Sequence, residues 1–231
     1  MSRPDEPPPD APDVEHADVA AAEKASRWRN HPAVKAAGAV SELADQPQLF
    51  TICGAVLVAG LITRRPALAE AGGRMLLAMA LVTAAKSAIK KRVSRTRPNV
   101  MKDQGRYERM AGGPDEGPWN SFPSGHTAGA TATARALVRV YPGAKPWALA
   151  AATFTGAIQL PRGAHYPLDV AAGALLGLAA EWVVHRAFRG ARPHLARVFA
   201  LARRANDGPA PVMAAMAHPP GRALRARPPS R

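Results

Sequence analysis

Residues 159–184 read QLPRGAHYPLDVAAGALLGLAAEWVV, and the change of character halfway along decides the fold class. Before Pro167 the chain is broken by Pro161 and Gly163; after it, small and aliphatic residues continue with no alternating β pattern. Pro167 suits the first position of a helix and Asp169 its first turn, where the positive end of the dipole favours an acid. His165 precedes Asp169 by four residues, within reach of its carboxylate. A carboxylate that accepts one ring N–H fixes the tautomer and leaves the other nitrogen to attack. Alone, the stretch reads equally well as a helix cap with a histidine beside it.

The apolar run at 170–184 has four counterparts upstream, at 49–63, 75–89, 127–141 and 147–160. All are dense in Ala, Leu, Val and Gly, so the expected fold is all-α: a membrane-embedded helical bundle of about five transmembrane helices. A bilayer asks for about 20 apolar residues per helix. The uncharged cores here are shorter, with Arg74, Lys86, Arg135 and Glu181 near or inside their ends. Flanking cations can snorkel to the interface, and a soluble helical bundle is the alternative. Residues 45–47 read as a break before the first span, and 33–43 as an amphipathic piece on the membrane surface.

Outside these helices the composition shifts. Residues 1–30 are acidic and rich in proline, a composition expected to stay disordered because it buries too little apolar area to offset chain entropy. They lack the basic and apolar regions of a cleavable signal peptide. Residues 31–188 form the expected helical domain, and 189–231 a basic, largely disordered tail; from Arg186 onward there are ten arginines and one acid. With 31 Lys and Arg against 17 Asp and Glu, the chain favours anionic partners. Cys53 is the sole cysteine, which excludes an internal disulfide or a cysteine-rich zinc site, and its apolar setting reads as a buried thiol.

Two further stretches carry chemistry. Residues 90–98 read KKRVSRTRP; Lys90 and Arg97 are seven apart, so on one continuous helix they would share a face until Pro98 stops it. An ammonium and a guanidinium suit a phosphate, as a point charge and a bidentate fork. A basic cluster at a helix end also serves as a headgroup anchor. Residues 123–126 read PSGH: Ser124 stands where an N-cap would open the third apolar helix, and Gly125 allows close approach of a ligand to free N–H groups. His126 follows in the first turn, placed to give a proton to a leaving oxygen.

Together the three stretches resemble the signature of the type-2 phosphatidic acid phosphatase superfamily, whose members include lipid phosphate phosphatases, bacterial acid phosphatases and vanadium haloperoxidases. The family pattern is Lys, six residues, Arg-Pro; then Pro-Ser-Gly-His; then Ser-Arg, five residues, His, three residues, Asp. Lys90 with Arg97 and Pro98, then Pro123 to His126, then His165 with Asp169 fit it across about residues 86–181. The resemblance implies that His165 is the nucleophile forming a phosphohistidine, Asp169 its orienter, and His126 the acid and later the base. It implies that Lys90, Arg97, Ser124 and Gly125 hold the phosphoryl oxygens, and that no metal or cofactor takes part. One departure stands out: the family's Ser-Arg pair falls on Ile158 and Gln159. Two replacements stay open: Arg162, three residues on in the same connection, as a charged clamp, or Gln159 itself supplying only a neutral hydrogen bond.

The resemblance makes residues 31–188 a phosphatase domain acting on a lipid phosphate such as phosphatidate, phosphatidylglycerol phosphate or a polyprenyl phosphate or diphosphate. A bilayer is the expected partner and nucleic acid is not. The protein is expected to be multi-pass in the cell membrane, with the Arg-rich C-terminus cytoplasmic and the site extracytoplasmic. The alternatives are a vanadate-dependent peroxidase and a non-catalytic basic protein that binds membranes or nucleic acid.

Overall fold

The structure, a computed structural model, describes residues 5–112 and 117–206, with 192–206 described as backbone only. The chain divides into two compact units, residues 1–187 and 188–231. The first holds the site. Of the second, the described part is the end of one helix; the expected disorder of the tail falls on 207–231, outside the described residues.

Eight α-helices carry the described fold: α1 Asp13–Ser26, α2 Pro32–Ser41, α3 Gln46–Ile62, α4 Pro66–Lys90, α5 Pro98–Gln104, α6 Gly125–Val140, α7 Lys145–Ile158 and α8 Pro167–Asn206. All five apolar segments lie in helices, namely α3, α4, α6, α7 and α8. Two short antiparallel strands, β1 Val93–Arg95 and β2 Arg109–Ala111, interrupt them, paired with Ser94 opposite Met110. Proline opens α2, α4, α5, α7 and α8 near their first position, where its missing N–H is not needed.

Helices α4 and α8, the latter over Pro167–Ala191, are long and apolar enough to cross a membrane. A third candidate is the pair Pro32–Ala44 and Gln46–Ile62, which bends by 54° at Asp45. Helices α6 and α7 have 16 and 14 residues. At 1.5 Å per residue they reach only about 24 and 21 Å, less than the ~30 Å hydrocarbon layer. Val58, Leu61, Leu77, Phe154, Leu175 and Trp182 on these helices are exposed, an apolar exterior that water does not favour. The intrahelical charges are paired: Arg139 holds Glu181 at 2.9 and 3.2 Å between α6 and α8, and Arg74 lies 2.7 Å from Glu70 one turn away.

Close helix approach sets the site. A Cβ at Gly173 would lie 2.5 Å from the Ser124 carbonyl oxygen, and one at Gly177 2.5 Å from that of Ala128. These two glycines, four apart on α8, therefore let its first turns press against the start of α6.

Two expectations are corrected. Residues 13–26 of the segment expected to be disordered form α1, and Glu15, Asp18, Val19 and Ala22 are buried. Composition missed this because α1 is held by charges turned inward as well as by Val19 and Ala22 packing on Met101, Tyr107 and Tyr166. Lys90 and Arg97 do not share a continuous helix: α4 ends at Lys90, a strand follows, and Arg97 caps α5 in extended backbone. Pro98 disfavours helical backbone at the preceding residue and starts the next helix instead of ending the last.

Candidate active site

The three motifs meet at one end of the bundle, because α4 ends there, α6 begins there, and the α7 to α8 connection passes between them. Ser124 caps α6, its Oγ accepting the Thr127 N–H at 3.4 Å, while its own N–H donates to the Asp169 carbonyl at 3.0 Å. Gly125 opens the helix, and Lys86 lies across it: a Cβ there would be 3.3 Å from Lys86 Nζ. Lys86 also donates to Gln46 Oε1 at 2.7 Å, and Lys90 one turn later donates to the Asn120 carbonyl at 2.7 Å.

His165 is buried, its Nδ1 3.7 Å from Asp169 Oδ2, too long for a hydrogen bond but facing the carboxylate. Burial pushes the imidazole below its ordinary value, and the nearby Arg97 and Lys90 cations push the same way against Asp169. The ring is thus kept neutral, the form that can attack. Arg97 is held below its ordinary range by burial, with Arg162 acting likewise against Asp169, Asp45 and Glu42. Its Nε is buried and makes no hydrogen bond. A buried donor without an acceptor is costly, which is the state expected of a group that receives an anion.

Asp169 is fully buried and saturated with donors. Arg95 Nη1 donates to Oδ1 at 3.0 Å, the Tyr166 N–H to Oδ2 at 2.9 Å, and the Ser121 hydroxyl to Oδ2 as well. Such a carboxylate cannot swing away from His165.

The third group forms around His126. Its Nε2 lies 3.7 Å from Glu42 and 3.8 Å from Asp45, which flank the bend between α2 and α3. Arg162 pairs with Glu42 and donates to Ser41 Oγ at 2.8 Å. The candidate charged clamp is thus tied to the α2 end, yet close enough to act on both His126 and Arg97. Gln159 is fully buried and donates to the Thr155 carbonyl at 3.0 Å, while its own carbonyl accepts the His165 N–H at 3.4 Å. It supports the loop that carries His165.

Sequence reasoning missed Arg95, Ser121, Lys86, Glu42, Asp45 and Asp18. Arg95 stood in plain sight within the basic run, but nothing local marks which of its cations turns inward. Among the described residues no group of three or more His, Cys, Asp or Glu is arranged to hold a metal ion.

A family model, the PAP2 superfamily, matches residues 71–193, more than half of the chain and all three motifs. The chain belongs to the PAP2 superfamily. It is a phosphatase of this superfamily, and two solved structures are among those that share its fold. One is a transmembrane PAP2-type phosphatidylglycerolphosphate phosphatase from Bacillus subtilis, with 22% identity, a TM-score of 0.59, and 78% of this chain aligned to 89% of that one. The other is Aquifex aeolicus LpxE, with 22% identity, a TM-score of 0.50, and coverage of 73% and 94%. No curated protein sequence matches the chain significantly.

Proposed function

We propose that this PAP2 phosphatase removes phosphate from a lipid phosphate within a membrane, through a phosphohistidine on His165. The observation that carries the reading is the setting of His165: buried, flanked by Lys90 and Arg97, with Asp169 facing its Nδ1. Nε2 attacks phosphorus, the P–O bond to the lipid breaks, and His126 gives its proton to the leaving oxygen. Water, its proton taken by His126 as base, then attacks phosphorus, the N–P bond breaks to return His165 as the neutral imidazole, and inorganic phosphate departs. Asp169 stabilises the imidazolium that forms in the first step. Lys90, Arg97, the Ser124 hydroxyl and the Gly125 N–H neutralise the charge gathering on the phosphoryl oxygens, so these protein groups supply the electrostatic stabilisation. Arg162 stands at the edge of this set.

A lipid substrate is favoured by an apolar groove of about 300 Å3 along α6, lined by Leu43, Leu49, Ile52, Met75, Leu137 and Phe154; Leu43 follows Glu42 in the chain. The groove suits an acyl or polyprenyl chain. In this reading α3, α4, α6, α7 and α8 all pass through the membrane, the short α6 and α7 where the bilayer thins to match them; the site is extracytoplasmic, and the ten arginines from Arg186 onward favour a cytoplasmic C-terminus.

The test is phosphate release by purified protein in detergent, with chelator present, from phosphatidate, phosphatidylglycerol phosphate, a polyprenyl diphosphate and a water-soluble phosphate ester. Release from at least one lipid, faster than from the soluble ester and blocked by vanadate, is expected. Release from none of the lipids overturns the reading, and so does halide oxidation with vanadate as the sole activity.

A further inference from the structure

Helix α1 lies wholly outside the stretch matched by the family, yet it is built into the rear of the site. Asp18 Oδ2 is 2.7 Å from Arg95 Nη1, the same nitrogen that donates to Asp169 Oδ1 at 3.0 Å. One guanidinium nitrogen therefore lies between two carboxylates, both nearly inaccessible. Asp18 Oδ1 also accepts the Leu168 N–H at 2.8 Å, capping from a distance the helix whose first turn carries Asp169. The rest of Arg95 is fixed on the same side: Nε donates to the Tyr107 hydroxyl at 3.1 Å, and its plane lies 3.8 Å from the Tyr166 ring. Tyr107 in turn donates to Glu15, one turn before Asp18 on α1, and Glu15 pairs with Arg109. Val19 and Ala22 pack against Tyr166, the residue next to His165.

We infer that α1 is a working part of the active site and that Asp18 is a positioning residue for Asp169. Two effects follow from the geometry. Asp18 shares the charge of Arg95, so the guanidinium does not draw the full charge of Asp169 away from His165. By holding the Leu168 N–H it also sets where α8 begins, and so where the Asp169 carboxylate points. In this buried setting an unshared cation beside a single carboxylate forms a closed pair, whereas a shared one leaves that carboxylate charge to offer to an imidazolium.

The inference rests on the proposed roles of His165 and Asp169, and the test separates the two. Asp18→Asn keeps a carbonyl oxygen for the Leu168 N–H but removes the charge. For this variant in detergent, kcat on the preferred lipid phosphate is expected to fall about tenfold, as for loss of outer partners that orient reacting groups, with KM unchanged. Asp13→Asn, on the exposed face of the same helix, is expected to leave kcat as it was. In an Asp169→Asn background, Asp18→Asn is expected to lower Tm, since Arg95 then loses both carboxylates, but to leave the kcat of the folded protein unchanged, because its path to the chemistry is already cut. An unchanged kcat in Asp18→Asn overturns the inference while leaving the phosphatase reading intact, and so does an equal further loss in the Asp169→Asn background, which marks a merely structural role. Wild-type protein that releases no phosphate overturns the phosphatase reading itself.

Discussion

Arg95 and Arg97 stand two residues apart in one basic run, and the protein treats them oppositely. Arg95 is met by two carboxylates, a phenol and an aromatic face; burial opposes its charge, but Asp169, Tyr107 and Asp18 outweigh burial and hold it above its usual range. Arg97 is held below its usual range, and its Nε has no acceptor. A satisfied buried cation builds structure, whereas the open Nε of Arg97 suits the anion that the proposed function requires. Arg95 lies in β1 and meets α1 through Asp18, whereas Arg97 stands at the cap of α5, near enough to His165 to act on its charge.

The comparison is anchored by what both cations surround. His165→Ala is expected to abolish phosphate release, and Asp169→Asn to lower kcat by ~10⁴-fold while the fold survives, since an amide cannot stabilise the developing imidazolium. Initial rates on one lipid phosphate check both, and a His165→Ala protein with near-normal rate removes the nucleophile. The contrast itself breaks if the two arginines respond alike. Arg97→Ala is expected to lower kcat/KM by about 10²–10³-fold with little change in Tm, the range for losing one transition-state donor. Arg95→Ala is expected to destabilise by about 3–5 kcal/mol, because Asp18 and Asp169 are left as uncompensated buried charges. Thermal unfolding in detergent beside kinetics separates them.

A pH profile sharpens the same contrast with a smaller effect. Burial and the two cations disfavour protonated His165, so the neutral ring persists as pH falls and the acid limb of kcat/KM is expected below the ordinary histidine value of about 6.5. Removing one cation by Arg97→Gln is expected to move that limb upward; a limb that stays in place shows that Arg97 does not face His165. The smallest effect belongs to Arg162. Its donors go to Ser41 and Glu42, so Arg162→Ala is expected to lower kcat/KM by about tenfold or less. A loss as large as that of Arg97→Ala would show that Arg162 is the family's missing clamp displaced by three residues.

Much of this was legible in the chain. The apolar runs, the prolines at helix starts and the N-cap at Ser124 are local signals, and local physics decides them. The motif spacing named Lys90, Arg97, Ser124, His126, His165 and Asp169, and the structure brings the three motifs that carry them to one end of the bundle. What was not legible depends on partners far apart in sequence. Asp18 and Arg95 are 77 residues apart, and no composition of residues 1–30 discloses that Glu15 and Asp18 point inward onto waiting arginines. The turn of the chain between Lys90 and Arg97 was misread for a different reason: a spacing of seven fits two helical turns as well as a helix end, a strand and a new cap, and only Pro98 favours the second.

The proposed reaction turns on a covalent bond between phosphorus and His165. Rapid mixing of wild-type protein with a lipid carrying radiolabelled phosphate, quenched in alkali and followed by peptide mapping, tests it most directly. The expected result is a labelled peptide containing residue 165, stable to alkali and labile to acid, that forms before free phosphate and is missing in His165→Ala. Turnover without any labelled peptide, or label on a residue other than His165, would contradict it.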